Sequence, residues 1–172
     1  MKKLRVLALM HDYMVPPEDV QGVDVVNAVW KTEFDVTTTL AATGHDIYTL
    51  GLADELDPIR QAIDEVRPHI AFNLTEAFHE IGTFDQNVVS YLELLQLHYT
   101  GCNPRGLILS RDKALAKKVL AYDGIPVPAF AIFPIGRVVR RPARLQFPLI
   151  VKSLTQDASY GISQASVVND DA

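Results

Sequence analysis

Apolar positions along the chain recur in two rhythms, and their alternation predicts the fold. A continuous apolar run, LRVLALM (Leu4 to Met10), reads as a strand buried on both faces. A polar loop with Pro16, Pro17 and Gly22 follows. Between Val25 and Thr43, Val26, Val29, Trp30, Phe34, Leu40 and Ala41 fall at mostly helical intervals, and Gly44 stands where a helix C-cap belongs. DIYTLGL (Asp46 to Leu52) predicts a second strand, and PIRQAIDEV (Pro58 to Val66) a helix with proline in its first turn. HIAFNL (His69 to Leu74) predicts a third strand, and VVSYLELLQL (Val88 to Leu97) a helix with Val88, Val89, Leu92 and Leu95 on one face. This strand–helix alternation is the signature of a doubly wound parallel α/β sheet. Such sheets bind ligands beyond the carboxyl ends of their strands, which points to the loops His11–Asn27 and Thr75–Thr83.

The rhythm then changes. SRDKALAKKVLAYDG (Ser110 to Gly124) predicts a compact helix stopped at Gly124, and two prolines keep IPVPAFAIF (Ile125 to Phe133) extended. A basic stretch, GRVVRRPAR, leads into FPLIVKSLTQDASYGIS (Phe147 to Ser163), which predicts a buried strand, a lysine, a small-residue loop and a further strand. A boundary near Thr100–Ser110 divides the chain into residues 1–105, an α/β domain, and 106–172, the opening of a second.

Composition narrows the function classes. With 172 residues, 48% hydrophobic and 22% charged, and a net charge of -5, the chain is ordinary for a globular protein. The mild acidity argues against a nucleic-acid partner, and no apolar run approaches the roughly 20 residues of a membrane helix. The N-terminal apolar run is short and interrupted by His11 and Asp12, so it reads as a strand rather than a signal peptide. A cytoplasmic location is expected. The single Cys102 allows no internal disulfide and is expected to be a small buried residue.

Candidate chemistry concentrates in a few places. Lys152, at the end of an apolar strand and before a small-residue loop, suits a phosphate clamp in which Ser159 adds a hydroxyl and Gly161 backbone freedom. An exposed lysine on a plain hairpin is the bland alternative. Lys113 and Lys117 share a helix face beside Lys118, with Asp112 in the first turn; read alone, this segment favours a solvated basic face over a site. Glu33 and Asp35 either meet a substrate amine or face solvent. NLTEAFHE offers Asn73, Glu76, His79 and Glu80, but their spacing matches no metal-ligand pattern, and a polar rim loop is the default. No nucleophile elbow, Walker loop or dinucleotide fingerprint is present.

In combination, KTEFDVTTTLAATGHDI, AFNLTEAF, YLELLQLHYTG, SRDKALAKKVLAYDGIPVPAFAIF and FPLIVKSLTQDASYGIS resemble ATP-grasp enzymes of the D-alanine–D-alanine ligase type, over nearly the whole chain. The resemblance implies an N-terminal doubly wound sheet (the pre-ATP-grasp domain) followed by the beginning of an α+β ATP-grasp lobe. It implies ATP-dependent joining of a carboxylate to an amine through an acyl phosphate, with ATP and Mg2+ as cofactors and an amino acid or peptide as substrate. It assigns Lys113 and Lys152 to the ATP phosphates, Ser159 and Gly161 to the loop covering them, and Glu33 to the first amino-acid substrate. A homodimer through the N-terminal domain is implied as well. The adenine hinge, a central arginine and the acidic Mg2+ ligands are expected beyond residue 172, so no catalytic or metal-binding residue is assigned here and no ligation is expected of the chain alone.

The chain departs from the family pattern in three ways. Ser153 stands where proline is usual, and Asp157-Ala158-Ser159 replace Gly-Ser-Ser; an added aspartate beside phosphates is unfavourable unless it points away. NLTEAFHEIGTFDQ also lacks the His-Gly and Gly-Glu-Asp-Gly patterns, so the substrate stays open between D-alanine and another amino acid or peptide. The alternative is a non-enzymatic small-molecule-binding or dimerising α/β domain. A receiver-like signalling domain fits the alternation but lacks clustered aspartates after strand one.

Overall fold

A computed structural model describes residues 2–171, which divide into two compact units meeting at Arg105 and Gly106. The first is an α/β unit around a parallel sheet. Strand β1 (Arg5–His11) is central, flanked by β2 (Asp46–Leu52) and β3 (Ile70–Asn73) in the order β2-β1-β3. Both pairings are parallel, with Val6 opposite Ile47 on one side and Ile70 on the other. The all-apolar stretch Val6 to Met10 is buried, as a central strand covered on both faces requires. Tyr99 extends the sheet beyond β3: the Ala71 amide donates to His98 O at 2.7 Å, and the Thr100 amide to Ala71 O at 3.0 Å.

Helices α1 (Lys31–Ala42), α2 (Asp57–Val66) and α3 (Asp85–Leu94) provide the crossovers. Ile59 on α2 and Val88, Val89 and Leu92 on α3 are fully buried, forming the core with Leu7, Leu9, Leu52 and Ala71. α2 ends on Arg67 in the left-handed conformation, where the Arg5 guanidinium donates to Val66 O and Arg67 O at 3.0 and 2.9 Å. No helix among the described residues is long and apolar enough to cross a membrane.

Two expectations for this unit need correction. The helix expected from Val25 begins only at Lys31; Val25–Asn27 form a separate 3-10 turn, capped when Asp24 accepts from the Asn27 amide. Val26 and Val29, counted in the apolar spacing of that helix, lie outside it and are 73% and 71% exposed. Cys102, expected to be buried, lies exposed in the polar segment Gly101–Asn103 ahead of the next helix, where no apolar layer covers it.

The second unit is thinner. Helix α4 (Pro104–Arg111) runs into it from the boundary and is followed by α5 (Lys113–Tyr122) and an antiparallel pair, β4 (Leu149–Ile150) with β5 (Val167–Val168). The single helix expected over Ser110–Gly124 is therefore broken at Asp112. That residue leaves helical geometry (φ -88°, ψ 99°), and its carboxylate accepts from the amides of Ala114 and Leu115 at 2.9 and 2.8 Å. An aspartate with two such bonds available gains more as an N-cap than inside a helix. The buried strand expected at FPLIV shrinks to two residues, with Ile150 and Val151 exposed. Only Ala114 and Leu145 are buried apolar residues among those described in this unit, so little apolar area drives this strand to extend. The strand expected directly after the loop is displaced by a 3-10 turn, Gln164–Ser166, before β5.

Candidate functional site

The β1–α1 connection brings the α1 N-terminus to the carboxyl edge of the first unit's sheet, and Glu33 occupies its first turn. Glu33 is only 8% exposed, and its Oε2 is buried without a hydrogen-bond partner among the described residues. A buried carboxylate oxygen left unsatisfied costs about 1–3 kcal/mol, and natural proteins carry few of them. The helix N-terminus offsets part of that cost by favouring negative charge. Asp35, two residues on, points outward and pairs with Lys31. Helical geometry thus separates two acids that sequence alone treated together.

The β3–α3 loop is closed by its own residues. Asn73 Oδ1 accepts from the Thr75 amide at 3.2 Å and from the Thr75 hydroxyl at 2.6 Å, while the Asn73 amide donates to Thr100 Oγ1. Further along, Phe78 and Ile81 exchange both backbone hydrogen bonds across His79 and Glu80, whose φ values are 52° and 59°. Two successive positive φ values make this a tight hairpin of the type I′ class. His79 and Glu80 sit exposed at its tip, and Glu76 is exposed as well. No group of three or more His, Cys, Asp or Glu among the described residues is arranged to hold a metal.

In the second unit, the first residue of α5 joins the loop that follows β4. The Lys113 amide donates to Leu154 O at 3.2 Å, and its ammonium donates to Gln156 O at 2.5 Å. Lys113 Nζ also stands 3.6 Å from Asp157 Oδ1, while Arg111 Nη1 lies 2.8 Å from Asp157 Oδ2. The aspartate that departs from the family pattern is thus held between two cations. Arg111, which sequence reasoning passed over, is the third partner in this cluster. Its signal was position, one residue before the Asp112 cap.

The loop itself is conformationally demanding. Ala158, Ser159 and Gly161 have φ values of 50°, 60° and 72°, and only the glycine adopts such values without steric cost. Two turns hold it, with Tyr160 N to Asp157 O and Ile162 N to Ser159 O, both 2.9 Å. Ser159 and Gly161 are exposed. Lys152 is exposed too and makes no hydrogen bond or ion pair among the described residues. Lys117 faces the Phe130 ring, its ammonium 5.2 Å from the centroid, in a cation–π contact rather than a ligand site. Contacts therefore join Lys113 to the loop, whereas Lys152 reaches into solvent and Glu33 belongs to the other unit.

Comparisons with known proteins relate the chain to one group of enzymes. The chain is 32% identical over 126 residues to a D-alanine–D-alanine ligase of Alcanivorax borkumensis, covering 73% of this chain and 39% of that protein. It is 30% identical over 139 residues to one from Moorella thermoacetica, covering 76% and 43%. One from Streptococcus pyogenes is 35% identical over 86 residues, 47% of this chain and 25% of that one. The chain thus spans about two-fifths of the length of the first two curated relatives. Among solved structures, the D-alanine–D-alanine ligase from Bacillus anthracis complexed with ATP matches with a TM-score of 0.63 at 22% identity, covering 98% of this chain and 51% of that one. No protein-family model matches.

Proposed function

We propose that this chain, a D-alanine–D-alanine ligase-like polypeptide of the ATP-grasp superfamily, forms the N-terminal part of an ATP-dependent carboxylate–amine ligase. In that reaction a substrate carboxylate attacks the terminal phosphorus of ATP, giving an acyl phosphate and ADP. The amine of a second substrate then attacks the acyl carbon, forming the amide and releasing phosphate. Each step balances without a further co-reactant.

The observation that carries the reading is the junction of α5 with the loop after β4. There a lysine ammonium is fixed beside a loop with three residues at positive φ, in a chain whose sequence matches these ligases over both units. Lys113 and Lys152 neutralise phosphate oxygens, and the exposed Ser159 hydroxyl and Gly161 backbone cover them. Glu33 is the natural acceptor for a substrate ammonium, because its buried Oε2 lacks a partner within the described residues. The first unit is the substrate domain, residues 1–105, and residues 106–172 open the ATP-grasp lobe. Mg2+ belongs to the proposed chemistry, but the described residues provide no ligand set for it, and no step is routed through it. A homodimer through the first unit and a cytoplasmic location complete the proposal.

The test is a titration of the 172-residue chain with ATP by isothermal calorimetry, repeated with Lys113→Gln and Lys152→Gln. Saturable binding weakened by each substitution is the expected result. Binding that is absent, or indifferent to both lysines, sinks the nucleotide assignment. An ADP-formation assay with D-alanine is expected to stay at background; turnover above it would refute the view that this portion lacks the full catalytic set. Ligand binding without any response to ATP would instead favour the non-enzymatic small-molecule domain.

A further inference from the structure

The carboxylate of Asp157 bridges two cations. Its Oδ2 is 2.8 Å from Arg111 Nη1 and its Oδ1 is 3.6 Å from Lys113 Nζ, so one carboxylate faces two cations from opposite oxygens. The two cations differ in exposure: the Arg111 side chain is 15% exposed and that of Lys113 34%. Both are fixed from behind, because Asp112 between them is bound to the α5 amides and Lys113 Nζ also holds Gln156 O. Asp157, by contrast, is 54% exposed and begins the segment in which Ala158 and Ser159 adopt costly positive φ values. Two held cations facing a half-exposed acid form a site with its own occupant.

We propose that Arg111 and Lys113 form a two-cation site for a nucleotide's phosphate oxygens, in which Asp157 is an internal stand-in that the phosphate displaces. The charges favour the exchange. A carboxylate brings one negative charge to two positive ones, whereas a triphosphate brings several and accepts the arginine fork in two parallel hydrogen bonds. The released Asp157 is already half in water, so its departure carries little desolvation cost, and repulsion between it and the phosphates drives the loop away from its resting turn. Arg111 thereby becomes a binding residue, and Asp157 sets how much nucleotide is needed to open the loop. This inference rests on the reading of Lys113 as a phosphate ligand.

The experiment titrates the full 172-residue chain with ATP and, separately, with inorganic tripolyphosphate, following heat. Asp157→Asn is expected to tighten both by about two- to fivefold, the equivalent of releasing one surface-class ion pair. Asp123→Asn, an equal charge change at the exposed C-cap of α5, is expected to leave both unchanged. Arg111→Gln in the Asp157→Asn background is expected to weaken both by about three- to tenfold, with partial recovery in Arg111→Lys. Without ligand, amide exchange from Gln156 to Gly161 is expected to quicken in Asp157→Asn, a readout that survives if the arginine variants fail to fold. Affinity in Asp157→Asn no tighter than in Asp123→Asn overturns the stand-in, and if the parent chain still binds ATP, the ligase reading survives it. Failure of tripolyphosphate to bind even Asp157→Asn overturns the two-cation site itself. Binding of tripolyphosphate without any added affinity for ATP supports the site and counts against the nucleotide reading.

Discussion

Replacing Glu33 with methionine should make the first unit more stable, although it deletes a residue assigned to substrate. The side chain is 8% exposed, and its Oε2 is buried with no partner among the described residues. Relieving one unsatisfied buried oxygen returns about 1–3 kcal/mol. Losing a carboxylate from the first turn of α1 removes about 0.3–1 kcal/mol of favourable interaction with the helix N-terminus. The methionine stem has similar volume and flexible rotamers, so overpacking is small. The net expectation is a gain of about 1 kcal/mol, read as a rise of about 4–8 °C in the melting midpoint of a unit this size. Thermal unfolding of the parent, Glu33→Met and Glu33→Gln measures it directly. Glu33→Gln keeps a buried acceptor and adds two donors needing partners, so no gain is expected from it. Added D-alanine should raise the midpoint of the parent but not that of Glu33→Met. A methionine variant no more stable than the parent would refute the reasoning, since Glu33 would then be satisfied in the folded protein. The gain, if found, is the usual exchange of stability for a polar group kept ready for a ligand.

Three further outcomes follow from packing, capping and titration. Gly51→Ala should destabilise the first unit by about 1–3 kcal/mol, because a Cβ there falls 2.7 Å from Asp12 Cα and 2.8 Å from Val15 Cγ2; an unchanged urea midpoint would show that the β1–α1 connection gives way freely. Asp112→Ala should lower α5 stability by about 1 kcal/mol, seen as faster amide exchange at Ala114 and Leu115, whose amides it holds. Tyr99 should ionise late: burial, then its hydrogen bond to Glu93, pushes its hydroxyl up to about 12 from an ordinary value of 10.0. Because the folded value is the higher one, the stability it contributes is complete below about pH 10 and is lost as pH rises from there towards about 12. A phenolate difference spectrum between the parent and Tyr99→Phe with its midpoint near the ordinary value would contradict this.

The sequence by itself determined the sheet. β1, β2 and β3 each announce themselves within seven residues or fewer, and the continuous apolar run Val6 to Met10 marks the strand that is buried. Helix α2, with Pro58 at its start, and the buried face Val88, Val89 and Leu92 of α3 were equally local signals. Lys113, Lys152, Ser159, Gly161 and Glu33 were legible as candidates through residue type and order. Tertiary structure decided where each of them lies and what it touches. Periodicity extended α1 back to Val25 because it counts apolar residues and does not see that the Asp24 cap closes a separate turn. It ran one helix through Asp112 because a carboxylate bonding two amides ahead of it carries no periodic signature. It buried FPLIV because it assumes a layer to pack against, whereas Ile150 and Val151 meet solvent. Most of all, it set Asp157 apart from the cations: Lys113 and Arg111 lie more than forty residues earlier, and only the return of the chain after β4 brings them to one carboxylate. Local sequence specifies which residues carry charge, but opposing charges neutralise one another only after folding sets the distance between them, and distance decides the energy.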